Sequence, residues 1–254
     1  MIDHRAASFI LPVIGVCLLG CVGPREAMAQ PEAAPAVEPA MEPAALTVEG
    51  LLDHMEAVRK TVETFQADVV KTSVIELLDQ TERFEGTLKF KAPRLLRLEL
   101  KNVANGQETI YIVGPEYGWI YRVYRKQAER GRLSEETTEA EKGNPLEYGL
   151  TKDMHGLEQG YDLSLLPEEE INGRRAVPLQ LTPQGGTTYT SGQIIFWIDL
   201  ESWLPVQVRE YKSNNEIVET HTFSKIILNK RVSDSNFEFK PPRDVDVILH
   251  DATQ

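Results

Sequence analysis

Cysteine is nearly missing from this chain. Only Cys17 and Cys21 occur, both within the first 21 residues. The rest of the chain therefore has no disulfide, no thiolate nucleophile and no Cys-ligated zinc site. Positive charge is also short: 27 Lys and Arg stand against 39 Asp and Glu, for a net charge of −12. Asp3 and Glu26 cancel Arg5 and Arg25, so the body carries the whole imbalance. Phosphate backbones need clustered Lys and Arg, which excludes nucleic acid as a partner. Anionic headgroups would repel such a body, so any lipid contact has to be apolar. Histidine is sparse as well, and His54, His155, His221 and His250 have no metal-ligand spacing. No Gly-rich phosphate loop, nucleophile elbow or HExxH is present. The sequence asks for no metal and no cofactor, and a non-enzymatic role is expected, with no catalytic residue assigned.

What is there begins with a leader. Residues 6–22 carry no charge and include Phe9-Ile10-Leu11 and Val16-Cys17-Leu18-Leu19, which read as the apolar region of a signal peptide over 1–29. Two processing readings stay open. Ala27-Met28-Ala29 before Gln30 is an Ala-x-Ala cleavage site. Leu18-Leu19-Gly20-Cys21 is similar to a lipobox, which would lipidate Cys21. Residues 30–45 then read QPEAAPAVEPAMEPAA, with Pro31, Pro35, Pro39 and Pro43 four apart. Such a segment cannot build a core and favours extended conformations. As a linker it would reach on the order of 50 Å at ~3.1 Å per residue.

The folded domain is expected over 46–249, with 250–254 as a tail. Leu51, Met55, Val58, Val62 and Phe65 fall at helical spacing with Thr47 as N-cap, predicting one long amphipathic helix. After Phe65 the period becomes two. Phe84, Gly86, Leu88 and Phe90 alternate with polar residues, as do Leu96, Leu98 and Leu100. Further strands are predicted at 109–113, 119–124, 176–181, 193–199, 204–211 and 217–229. Turn signals such as Asn105-Gly106 and Asn172-Gly173 separate most of them. Glu168-Glu169-Glu170, before the second of these, reads as a solvated hairpin tip. The fold class is mainly β: a curved antiparallel sheet forming an incomplete barrel, closed by the N-terminal helix. Residues 127–160 interrupt the alternation. Ser134 caps a short acidic helix in this reading, and Leu146, Leu150, Met154 and Leu157 follow as an apolar stripe, read as a lid insertion.

An ordered set of motifs resembles the LolA-type lipoprotein carriers. Gly86-Thr87-Leu88 to Pro93, then Leu96-Arg97-Leu98, is similar to their first strand pair. Trp119-Ile120-Tyr121, Leu179-Gln180-Leu181-Thr182-Pro183, and Ile198-Asp199 to Leu204-Pro205-Val206 follow in the family's order. Phe223-Ser224-Lys225-Ile226, Asn229, and Phe237-Glu238-Phe239-Lys240-Pro241-Pro242 to Val247 resemble its close. The resemblance runs from about Leu51 to Val247. It implies a half-barrel whose greasy concave face receives acyl chains in the periplasm. Phe90, Leu96, Leu98, Leu100, Trp119 and Tyr121 would line that face, and Leu146, Leu150, Met154 and Leu157 would form its lid. Acylated lipoproteins or other lipids would be the partners, with an inner-membrane release complex and an outer-membrane acceptor, and the protein would be a monomer. The carriers keep an Arg before the strand-joining Pro as a lid latch. Here that place is Ala92, leaving Arg94 as the candidate latch. The same fold resembles the tethered acceptor LolB and the envelope regulator RseB, so a membrane-tethered sensor is the alternative to a carrier.

Overall fold

The computed structural model describes residues 46–75, 78–133, 154–184, 191–212 and 217–250. Helix α1 spans Val48–Arg59. The Thr47 hydroxyl accepts the Gly50 N–H at 3.1 Å, filling one of the free donors at the helix start. The helix stops well before Phe65. The Thr61 hydroxyl donates to the Val58 carbonyl at 2.8 Å, and β-branched Thr61, Val62 and Thr64 favour extended chain. Val62 therefore sits in a turn and Phe65 in the first strand, whereas Leu51, Leu52 and Met55 form the buried stripe of the helix.

Thirteen strands follow. They are β1 (Thr64–Ile75), β2 (Gln80–Lys91), β3 (Leu95–Asn102), β4 (Glu108–Val113), β5 (Tyr117–Arg122), β6 (Gln127–Arg132) and β7 (Tyr161–Leu165). Then come β8 (Glu169–Ile171), β9 (Arg174–Pro183), β10 (Ser191–Asp199), β11 (Pro205–Lys212), β12 (Ile217–Leu228) and β13 (Asp246–His250). They form one sheet in the order β13-β6-β5-β4-β3-β2-β1-β12-β11-β10-β9-β7, with β8 pairing β9 off that path. Among the described residues the terminal strands β13 and β7 do not pair, so the barrel is incomplete. All pairings are antiparallel except β13 with β6, which is parallel. The sheet curls so that β2 and β3 on one side and β9 and β10 on the other share a single core cluster with α1. The mainly β, half-barrel architecture expected from alternation is borne out.

Two sequence expectations change. Residues 127–132 are strand β6, not part of an insertion. Its only buried apolar side chain is Ala128, so alternation could not reveal it. Strand β1 is also hidden, because its inner face passes from Phe65, Ala67 and Val69 to Lys71 and Ser73, so the apolar alternation stops halfway along it.

Position 86 has to be glycine. A Cβ there would lie 1.7 Å from the Glu99 carbonyl oxygen, so β2 and β3 approach too closely for any side chain.

Candidate ligand-binding face

Register sorts the side chains by face, since residues directly opposite each other point the same way. Phe90 faces Leu96, Leu88 faces Leu98, and Gly86 faces Leu100. Across β1, Phe65, Ala67 and Val69 share that side, and Phe223 lies opposite Val69 on β12. This inner face is an apolar floor, and Phe90, Leu96, Leu98 and Leu100 are all buried in it. Its cover comes from Leu51, Leu52 and Met55 of α1. Met154 and Leu157, in the 3-10 segment Met154–Gln159 packed on α1 and β7, complete it. Two of the four lid residues thus join the cover. Leu146 and Leu150 lie outside the described residues, as does the acidic helix read after Ser134.

Trp119 and Tyr121 are not on this face. Trp119 lies opposite Ile112 and Tyr121 opposite Ile110, and those two belong to the parity of Arg97 and Glu99. Both aromatic rings point to the outer face, where Phe239 packs at 5.1 Å from each. The segment carrying Phe237 and Phe239 crosses that face. It is held by Lys89 Nζ donating to Asn236 Oδ1 at 3.0 Å and Arg97 Nη1 donating to the Asn236 carbonyl at 3.2 Å. The aromatic pair therefore closes a second, outer layer instead of lining a groove. Arg94 sits in the β2–β3 turn and makes no side-chain hydrogen bond or ion pair among the described residues, and the lid residues Leu146 and Leu150 that it would latch lie outside them.

At its other end the inner face turns polar. Lys71 lies opposite Phe84 on β2 and His221 on β12. Ser73 lies opposite Glu219, and Glu219 opposite Glu210 on β11. Lys71 Nζ pairs with Glu219 Oε1 at 2.7 Å and stands 5.8 Å from the Phe84 ring centroid. Glu210 is 1% exposed and His221 6%. Buried charge needs a partner to offset its lost hydration, and for Lys71 the belt supplies Glu219 from the adjacent strand. Pairing reveals the belt: Lys71 continues the side of Phe65, Ala67 and Val69 on β1, and His221 and Glu219 lie opposite Lys71 and Ser73 on β12. Among the described residues no group of three or more His, Cys, Asp or Glu is placed to hold a metal.

A third cluster fixes the cover. Buried Asp199, at the end of β10, accepts from Arg174 Nε at 2.9 Å and Nη2 at 2.7 Å, and from Ser202 N at 2.8 Å. Burial pushes its carboxyl up, but Arg174 and Ser202 outweigh it and hold the group below its ordinary value. The turn so fixed sets Trp203 at φ 56° and stacks its ring on His54 of α1, 4.1 Å between centroids. The helix is thereby tied to the β10–β11 hairpin.

Residues 124–240 match the model of the MucB/RseB N-terminal domain. An uncharacterized conserved protein from Thermus thermophilus shares the fold at a TM-score of 0.53. It is 14% identical, with 80% of this chain and 98% of that one covered. A LolA superfamily protein from Nitrosomonas europaea superposes at 0.40 with 14% identity over 77% and 99%. The Mycobacterium tuberculosis lipoprotein LppX superposes at 0.44 with 15% identity over 74% and 99%. No curated protein matches this chain. The MucB/RseB match supports the resemblance to the LolA-like, lipoprotein-binding family. Among the described residues no helix is long and apolar enough to cross a membrane.

Proposed function

We propose that this protein works in the bacterial envelope and binds the acyl chains of lipoproteins or lipids on its inner sheet face. The observation that carries the reading is a continuous apolar floor that, among the described residues, is covered by one short helix and one 3-10 segment. Each acyl CH₂ taken from water gains ~0.8 kcal/mol, so one C16 chain gains on the order of 12 kcal/mol. The five cover side chains, Leu51, Leu52, Met55, Met154 and Leu157, contribute roughly 1.5–3 kcal/mol each, or about 8–15 kcal/mol together. A single chain nearly balances the cover, and a ligand with two or more chains outweighs it. Diacyl ligands should therefore displace the cover and single-chain ligands bind weakly. The charged belt from Lys71 to Glu210 suits the polar head of such an amphiphile, with the chains along the floor.

Within this reading, a soluble carrier would pass lipoproteins from an inner-membrane release complex to an outer-membrane acceptor. The match to the MucB/RseB domain favours a second role, a tethered sensor that keeps its ligand. Lipidation at Cys21 would fit the sensor, and a free Gln30 terminus the carrier.

Native mass spectrometry of protein purified from membranes tests the binding. Co-purified lipid or lipopeptide is expected, with a diacyl phospholipid outcompeting its lysolipid. Protein that is empty and takes up neither would end the proposal. Incubation of loaded protein with acceptor membranes then separates carrier from sensor, since only a carrier releases its cargo.

A further inference from the structure

Three of the large apolar side chains left exposed are consecutive: Val247 at 37%, Ile248 at 37% and Leu249 at 52%. They form the middle of β13, the last strand on its side of the sheet. β13 is bonded to β6 along one edge, and among the described residues its other edge carries no strand. An apolar edge with no charge or proline at its centre is open to a further strand.

The sequence of β13 points to the occupant. Asp246-Val247-Ile248-Leu249-His250 is self-complementary when two copies run antiparallel about Ile248. Asp246 then faces His250 of the second copy, Val247 faces Leu249, and Ile248 faces its own counterpart. A shift of two residues either way sets Asp246 or His250 against Ile248. A shift of one joins the inner face of one copy to the outer face of the other. In the centred register the faces agree. Val247 pairs with Ala128 and Leu249 with Arg130, which places both on the outer face beside the Trp119 row. Arg130 already stacks on Tyr117 at 4.5 Å and on Trp119 at 5.6 Å. The second copy would extend that row with its own Leu249 and Val247.

We propose that β13 is a self-association edge, through which two copies of this chain join β13 to β13, antiparallel and centred on Ile248, into one continuous sheet. The inference is independent of ligand binding and replaces the monomer expected from the sequence. A five-residue edge buries little area, so the dimer is weak and concentration-dependent.

Light scattering of the full chain, from about 5 to about 200 µM, should show the mass rise from one chain towards two. Ile248→Lys sets two ammonium groups face to face and holds the mass at one chain throughout. Asp246→His weakens the dimer roughly tenfold by setting imidazole against imidazole on both sides of the axis. Adding His250→Asp to the same chain restores it. His250 Nε2 also lies 3.3 Å from Glu129 Oε2, so His250→Asp alone is not the diagnostic change. Far-UV circular dichroism checks that each variant is folded. If Ile248→Lys does not fold, the single and double exchange decides. A single-chain mass at every concentration overturns the proposal, even if the edge captures a different protein. So does a dimer that Ile248→Lys leaves intact, or one that Asp246→His does not weaken.

Discussion

Asn229 follows β12 at φ 54°, a left-handed conformation that asparagine tolerates better than most residues. Its side-chain oxygen accepts from Glu63 N at 2.8 Å and Thr64 N at 3.4 Å, and its amide donates to the Thr61 carbonyl at 3.0 Å. One side chain thus fixes the turn by which α1 enters the sheet. Asn229→Gly keeps the backbone but loses the bonds, and should cost about 1–2 kcal/mol in denaturant melts. Asn229→Ala adds backbone strain and should cost about 1–2 kcal/mol more. Equal costs would show that the φ angle is irrelevant there. Asp199 makes a prediction in pH. Its folded carboxyl lies below the ordinary 3.8, so its contribution is present above that value and lost as pH falls through the folded one. Asp199→Asn should lower stability at neutral pH by about 1–3 kcal/mol, discounted because Arg174 is partly exposed. The gap to the unaltered protein should close below about pH 4, as the native carboxyl protonates. A gap that stays constant down to acid would place the carboxylate outside the pairing.

Elements were legible in the sequence where alternation was clean and invisible where it was not. Strands β2, β3, β4, β9, β10, β11 and β12 could be read, because each has a dry face of large apolar residues. β6 could not, with one buried alanine, nor could β1, whose inner face turns polar at Lys71 and Ser73. Parity explains the misplacement of Trp119 and Tyr121. Alternation says that two residues share a face but not which face, and register against Ile112 and Ile110 decides it. Composition hid the polar belt for a related reason: Lys71 and Glu219 look like solvent residues until β1 and β12 are paired. Two changes probe the elements themselves. Gly86→Ala drives a methyl into the Glu99 backbone and should cost about 1–3 kcal/mol, more than Gly131→Ala, where a Cβ meets nothing within 4 Å. Met55→Asp buries a charge under the cover and should cost roughly 2–5 kcal/mol. Its amide exchange should rise through α1 and the Met154–Gln159 segment, while β2 and β3 stay protected. Uniform loss of protection would mean that the helix is core and not a cover.

At the scale of the molecule, the inner face is an amphiphile's negative: apolar floor, charged rim, and a cover whose burial energy is close to that of one acyl chain. Under the proposed function, the −12 charge would keep the protein off anionic headgroups and leave chain burial as its route to lipid. The measurement that tests this most directly is photocrosslinking with a diacyl lipid that carries a diazirine near one chain end, followed by peptide mapping. Adducts are predicted on the inner face, in the peptides of β3 around Leu96 to Leu100 and in α1 around Met55. Adducts confined to the outer layer of Trp119, Tyr121 and Phe239, or none at all, would contradict the account.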